Sequence, residues 1–223
     1  EIASEIKKRL NLPILWGGPH VTFFPKIIEY DYVDAVCVGE GDEAIAEFAD
    51  NFDALGGKLP KNVKNFWTKV DGEIYRNVVR PRIKKLDQIV YPARDLFTNK
   101  FPILKNHGIK HFNAHRGCPH KCTYCFNHKY NELYKEQAGD KKVLFSRSPE
   151  SIVKEILWLK QTEVVKMVNF VDDVFTIDKK WTLKFAEIYA RDCGIPFTIN
   201  ARFDHFDEDI VAALAKANLS MVY

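Results

Sequence analysis

Apolar positions recur along this chain in a helical rhythm that alternates with short, wholly apolar runs. Ile2 to Leu10 has the spacing of an amphipathic helix, and the run Pro13–Leu15–Trp16 follows it into Gly17-Gly18-Pro19-His20. A helix is expected around Pro25–Tyr30, then a strand over Ala35-Val36-Cys37-Val38. The turn Gly39-Glu40-Gly41-Asp42 opens a helix over Glu43–Phe52. Strands alternating with helices predict an α/β fold with a parallel sheet covered on both faces. Two strands make only part of such a sheet, so residues 1–55 are expected to be the C-terminal portion of a doubly wound domain.

Between residues 56 and 110 the rhythm changes. Val63–Val70 and Glu73–Val79 are β-rich runs joined at Asp71-Gly72, a dipeptide favoured in tight hairpin turns. Pro81, Pro92 and Pro102 then interrupt regular structure. The expectation is a linker with a small hairpin, packed between two domains. From residue 111 to 223 the alternation resumes. His111–Ala114 is a short strand, and Ser148 caps a helix that has Pro149 in its first turn and runs to about Gln161. A strand over Val164–Val171 ends at Asp172-Asp173, and a helix spans Lys179–Cys193. A strand over Phe197–Ala201 ends at Arg202, Asp207 caps a helix to Ala217, and Ser220–Tyr223 begins another strand. The chain opens in a helical pattern and closes inside a strand, so it is expected to be a segment of a longer protein.

Composition changes this picture little. The 223 residues are 46% hydrophobic and 28% charged, enough to bury a core in one large or two small domains. A net charge of +3, with both signs interspersed, does not indicate a nucleic-acid-binding face. No apolar run reaches the roughly 18–20 residues needed to span a bilayer.

Cysteine usage says more. Of five cysteines, Cys118, Cys122 and Cys125 fall within eight residues, while Cys37 and Cys193 stand apart and suit a core. An odd number with a packed trio favours metal over disulfides, and it predicts a reducing, cytoplasmic setting. The trio lies in Gly117-Cys118-Pro119-His120-Lys121-Cys122-Thr123-Tyr124-Cys125-Phe126, directly after the strand expected at His111–Ala114. Three thiolates so spaced can converge on one inorganic centre. Iron–sulfur cubanes usually take one cysteine per iron, so three ligands leave one iron open to chelate an amino acid. On the residues alone, a zinc site completed by His115, His120 or His128 is the alternative, in a non-catalytic interaction module.

Functional residues in parallel α/β folds gather where strands end. Such ends carry His115 and Arg116, Asp172-Asp173, and Arg202. Read alone, Asp172 and Asp173 also suit a helix cap or turn, Arg202 a salt bridge, and His115 a packing role. The turns at Gly17-Gly18 and Gly39-Glu40-Gly41 suit any doubly wound fold.

C-x-x-x-C-x-x-C with an aromatic residue before its last cysteine resembles the radical S-adenosylmethionine superfamily. The resemblance implies a 4Fe–4S cluster on Cys118, Cys122 and Cys125, with Tyr124 packed near the adenine of S-adenosylmethionine. It implies reductive cleavage of that molecule to methionine and a 5′-deoxyadenosyl radical. It also implies that residues 111–223 are the first half of a partial (β/α)6, TIM-like barrel. Phe170-Val171-Asp172-Asp173-Val174-Phe175 departs from the family's Gly-Gly-Glu element and resembles the Asp-Asp variant of its cobalamin-associated branch. By that resemblance Asp172 and Asp173 bind the methionyl amino group; Arg202, at the next strand end, would pair with the methionyl carboxylate or with an acidic neighbour.

Gly17-Gly18-Pro19-His20 and Val38-Gly39-Glu40-Gly41-Asp42 resemble the second half of a Rossmann-like cobalamin-binding domain. Gly17, Gly18, Gly39, Glu40 and Gly41 would then lie beside the cofactor, while His20 is not expected to ligate cobalt. Leu86-Asp87-Gln88-Ile89-Val90-Tyr91-Pro92-Ala93-Arg94 resembles the proline-containing segment found between these two domains. The implied enzyme is a cobalamin-dependent radical S-adenosylmethionine methyltransferase, or an oxidative cyclase of the magnesium-protoporphyrin monomethyl ester type. It would act on a small-molecule substrate with electrons from flavodoxin or ferredoxin, and the segment alone is not expected to turn over. A second reading keeps the radical chemistry and discards cobalamin.

Overall fold

The computed structural model describes residues 2–10 and 12–223. They form two compact units, one of Glu1–Arg82 with His128–Lys141, the other of Ile83–Asn127 with Lys142–Tyr223. The first unit opens with α1 (Ile2–Leu10), β1 (Leu15–Trp16) and α2 (Pro19–Phe23). A 3-10 helix, Pro25–Glu29, leads to β2 (Ala35–Cys37) and α3 (Asp42–Ala54). The helix expected at Pro25–Tyr30 is thus shorter and of tighter winding, and a separate helix precedes it. Pro19 and Pro25 each start a new helix because proline suits a first turn and breaks an interior one.

β1 and β2 are parallel, and β2 is buried along its whole length. Ala35 and Cys37 pack with Ala44 and Phe48 of α3, while Val36 packs with Val21, Ile28 and Val33. Burial on both faces explains why β2 reads as a continuous apolar run.

β3 (Phe66–Val70) and β4 (Glu73–Arg76) correct the expected linker. β3 pairs antiparallel with β2, Cys37 opposite Phe66 and Ala35 opposite Thr68, giving one sheet in the order β1-β2-β3-β4. The cause is apolar: the Phe66 ring lies 4.3 Å from that of Phe48, so β3 continues the surface covered by α3. Asp71 and Gly72 turn the hairpin with φ of 53° and 83°, as a tight primed turn requires.

Two short helices, α4 (Asp95–Thr98) and α5 (Pro102–Asn106), occupy the proline-containing stretch that was expected to be irregular. They precede β5 (Ile109–Phe112), β6 (His115–Arg116) and α6 (Asn127–Ala138). From His128 onward α6 belongs to the first unit, where Tyr134 is buried against Val38 and Val79.

The second unit continues with β7 (Phe145–Ser146), α7 (Pro149–Lys160), β8 (Met167–Phe170), α8 (Lys179–Asp192), β9 (Phe197–Ile199), α9 (Glu208–Lys216) and β10 (Leu219–Val222). β5, β8, β9 and β10 form a parallel sheet in sequential order, and β6 pairs antiparallel with β7. Its helices begin where their caps lie. Ser148 Oγ accepts from Ser151 N at 3.2 Å, Asp178 Oδ1 from Trp181 N at 3.1 Å, and Asp207 Oδ1 from Ile210 N at 3.0 Å.

Alternation along the strands sends Phe112, Val168, Phe170 and Phe197 into the helical core. The opposite face carries a polar row across registered neighbours. Thr198 Oγ1 donates to Asn169 Oδ1 at 2.9 Å, and Asn169 Nδ2 donates to His111 Nδ1 at 3.1 Å. Among the described residues, no helix is long and apolar enough to cross a membrane.

Candidate functional site

Three strand ends of the second unit supply the site. The chain leaves β5 through Asn113 and Ala114 into β6, and the side chain of Asp172 fixes that exit. Its carboxylate accepts Ala114 N at 2.9 Å and His115 N at 2.5 Å, and it is only 1% exposed. Burial pushes this carboxyl up to about 7 against the opposing pull of the backbone donors. Asp172 therefore departs from its expected role toward the methionyl amino group, because its carboxylate is enclosed and already bonded to backbone. Asp173, its neighbour, is exposed.

His115 is likewise structural. Its Nε2 lies 3.2 Å from the Phe175 carbonyl, which can only accept, so Nε2 carries the proton and Nδ1 accepts from Ser146 Oγ at 2.9 Å. The ring lies edge-on to Trp181 at 4.4 Å, and burial pushes its pKa down to about 4. Two residues on, Gly117 has φ of 85°, and a β-carbon there would run into the Val143 carbonyl oxygen. Only glycine permits this entry into the cysteine loop.

Cys118 is buried, and Cys122 and Cys125 are half-buried. Burial raises the Cys118 thiol, the His120 backbone N–H lowers it, and Asp173, Cys125 and Cys122 each raise it. The loop and the end of β8 thus share one electrostatic neighbourhood. The end of β9 joins it. Asp204 takes Arg202 in a two-pronged pair, Nε–Oδ1 2.9 Å and Nη2–Oδ2 2.7 Å, which holds the guanidinium charged, with smaller contributions from Cys122 and Cys118. Tyr124 stands 93% exposed on the loop.

The His120 ring lies 5.5 Å from that of His205, and burial and then Arg202 lower its pKa. His120 Nε2 and His205 Nδ1 are both buried without a hydrogen-bond partner. His205 was not anticipated, since nothing in the local pattern marks it. The donor set of this loop, three thiols with a backbone N–H already on one sulfur, fits an iron–sulfur cluster. Among the described residues no three His, Cys, Asp or Glu side chains are gathered to hold a metal ion.

In the first unit, both glycine turns follow the carboxyl ends of the parallel pair β1 and β2, where open α/β sheets take ligands. Gly18 has φ of 97°, and a β-carbon built there meets nothing within 4 Å, so its backbone faces open space as a ligand cradle would. At Gly17 and Gly41 an added β-carbon would touch only Cys37, at 3.8 Å and 3.7 Å. Burial raises that thiol to about 11, which suits the expected core role. Cys193 is partly buried against the helical core of the second unit. Gly39, at φ of 85°, is enclosed by protein. A β-carbon there would collide with the Tyr134 hydroxyl and lie 3.2 Å from Asn65 Nδ2. Glu40 N donates to that hydroxyl at 2.6 Å. Tyr134 and Thr22, whose hydroxyl accepts Gly39 N at 3.0 Å, escaped the sequence reading. Tyr130, Leu133, Tyr134 and Ala138, spaced as one helix face, were the available signal.

Residues 112–223 match the Radical SAM superfamily. Among curated proteins, the uncharacterized methyltransferase PH0819 of Pyrococcus horikoshii is 28% identical over 229 residues, which cover 100% of this chain and 46% of that protein. The anaerobic magnesium-protoporphyrin IX monomethyl ester cyclase of Rubrivivax gelatinosus is 28% identical over 231 residues, covering 98% of this chain and 40% of the cyclase. The chain thus spans less than half the length of either relative. Among solved structures, the cobalamin-dependent S-adenosylmethionine radical enzyme OxsB, with aqua-cobalamin and S-adenosylmethionine bound, superposes with a TM-score of 0.67. It is 19% identical, over 99% of this chain and 32% of OxsB, a likeness of fold.

Proposed function

This chain belongs to the Radical SAM superfamily, and on that premise we propose that Cys118, Cys122 and Cys125 hold a 4Fe–4S cluster that binds S-adenosylmethionine. The observation that carries this reading is the C-x-x-x-C-x-x-C spacing of Cys118, Cys122 and Cys125 within the matched residues, with Asp173 and Arg202 following the ends of the adjacent parallel strands β8 and β9. When bound, the reduced cluster supplies the electron that cleaves S-adenosylmethionine to methionine and a 5′-deoxyadenosyl radical.

The protein's own part is to bind and orient. Asp173 is the exposed carboxylate for the methionyl ammonium, and Arg202 is the cation for the methionyl carboxylate, exchanging part of its pairing with Asp204. Tyr124 offers an uncovered ring to the adenine. Asp172 holds the loop entrance in place. His115, one of the three histidines that could have completed a zinc site, has both ring nitrogens engaged. Enzyme relatives likewise leave little room for a non-catalytic zinc module.

We further propose that the first unit takes cobalamin on Gly17, Gly18, Gly39, Glu40 and Gly41. The whole protein would then perform methyl transfer or oxidative cyclisation on a small-molecule substrate. Support comes from the open backbone at Gly18 and from the fold shared with a cobalamin-dependent enzyme. Flavodoxin or ferredoxin would deliver the electrons, in the cytoplasm, where cysteines outside disulfides stay reduced and able to bind metal. One observation favours a radical enzyme without cobalamin: packing against Tyr134 already accounts for Gly39.

Anaerobic reconstitution with iron and sulfide tests the cluster. A visible absorbance bleached by dithionite, and 5′-deoxyadenosine formed from S-adenosylmethionine, are expected from the intact protein. Replacing any of the three cysteines with alanine should abolish both. Retention of cobalamin through gel filtration decides between the two readings of the first unit.

A further inference from the structure

Thr22 and Tyr134 belong to no ligand set proposed above, yet both bear on the two glycine turns. A threonine hydroxyl has one proton and two lone pairs. Here the proton goes to the Gly18 carbonyl at 2.9 Å, and one lone pair takes Gly39 N–H at 3.0 Å. Tyr130 Oη, 3.4 Å away, faces the other lone pair. One buried side chain thus ties the first turn to the second.

Tyr134 acts on the second turn alone. Its hydroxyl accepts Glu40 N–H at 2.6 Å and fills the space that Gly39 leaves for want of a side chain. The ring is fully buried, and burial holds the phenol far above its ordinary pKa. The Arg82 guanidinium lies 4.4 Å from the ring centre, and the Tyr130 ring stacks on it at 5.9 Å. Two side chains, Thr22 and Tyr134, therefore bond to a turn that has no side-chain cap at the start of α3, and Arg82 and Tyr130 pack on the Tyr134 ring.

We propose that Thr22 and Tyr134 are positioning residues for cobalamin. They set the spacing and orientation of the Gly17-Gly18 and Gly39-Glu40-Gly41 backbones without touching the cofactor themselves. The inference rests on the cobalamin reading above. It makes residues 128–141, which follow the cysteine loop in the chain, part of what shapes the cofactor turns.

The test uses the intact protein with hydroxocobalamin as probe, comparing Tyr134→Phe, Thr22→Val and Thr22→Ser. Absorbance titration reads affinity, amide hydrogen exchange reads Gly39 and Glu40, and iron content after reconstitution reports on the cysteine loop. Tyr134→Phe and Thr22→Val are expected to bind about tenfold more weakly, the effect of one lost hydrogen bond. Exchange should quicken at Glu40 in the first and at Gly39 in the second, with iron content unchanged. Thr22→Ser keeps the hydroxyl and should restore affinity. Wild-type affinity in both Tyr134→Phe and Thr22→Val, or equal loss in Thr22→Ser and Thr22→Val, would overturn the positioning role and leave the cobalamin reading standing. A wild-type protein that binds no hydroxocobalamin would overturn both.

Discussion

Asp172 and Asp173 are neighbours in the chain with opposite fates. Asp172 accepts two backbone N–H groups from inside the protein, whereas Asp173 is exposed beside the cysteine loop. Above about pH 7, where the Asp172 carboxyl is ionised, Asp172→Asn turns an acceptor pair into one acceptor and one donor, which costs about 1–3 kcal/mol where a buried N–H loses its partner. Urea unfolding should record that loss. Asp173→Asn is expected to leave stability within about 0.5 kcal/mol and to weaken S-adenosylmethionine binding, read by titration of the reconstituted protein.

The pH dependence of stability separates His115 from Asp172. His115 takes a proton at 6.5 when unfolded but only near 4 when folded, so its contribution is lost as pH falls through that window. Asp172 runs the other way. Its folded carboxyl keeps a proton up to about 7 against 3.8 when unfolded, so its contribution is lost as pH rises across the same range. The two slopes oppose each other in the wild type. In Asp172→Asn the opposing slope is gone, and His115, with His120 acting in the same direction, should make stability fall between pH 6.5 and pH 4, by up to about 3 kcal/mol from His115. Unfolding curves across that range check the sign.

At the scale of elements, the glycines sort by what surrounds them. Gly117→Ala puts a methyl group into the Val143 carbonyl and strains a residue at φ of 85°, so β6 cannot lead into the cysteine loop. Reconstituted iron content is expected to collapse while the helical core still melts cooperatively. Gly18→Ala has open space around it and only the backbone strain, on the order of 1–2 kcal/mol. That variant should fold and, on the proposed cobalamin reading, bind the cofactor more weakly, because its methyl group would enter the open space at that turn. Gly39→Ala should instead destabilise the first unit by displacing Tyr134, which a thermal melt separates from a binding defect.

Across the whole molecule, the chain is not partitioned as 1–55, 56–110 and 111–223. The hairpin completes the first sheet, and residues 128–141 return to the first unit. Residues 1–82 expressed alone lack the helix that covers Val38 and Val79. Hydrogen exchange at Gly39 and Glu40 is expected to be faster in that piece than in the intact chain, because both amides bond within a network that needs α6.

Local physics was legible in the residues themselves. Periodicity located α3, α7, α8 and α9, and Ser148 and Asp207 cap their helices as their chemistry requires. Asp71-Gly72 set its turn because few dipeptides tolerate two positive φ angles. The spacing of three cysteines pointed to a metal-binding loop before any fold was known. Pairing over distance was not legible. That β3 would join β2 depended on an apolar face shared with α3, and that Asp172 would turn inward depended on two N–H groups far back in the chain. Gly39 shows the division most plainly. The sequence placed a glycine turn before α3, and only the tertiary structure put the Tyr134 hydroxyl where a side chain at Gly39 would lie. A residue's conformational freedom is its own property, while the group that uses the space is decided by packing.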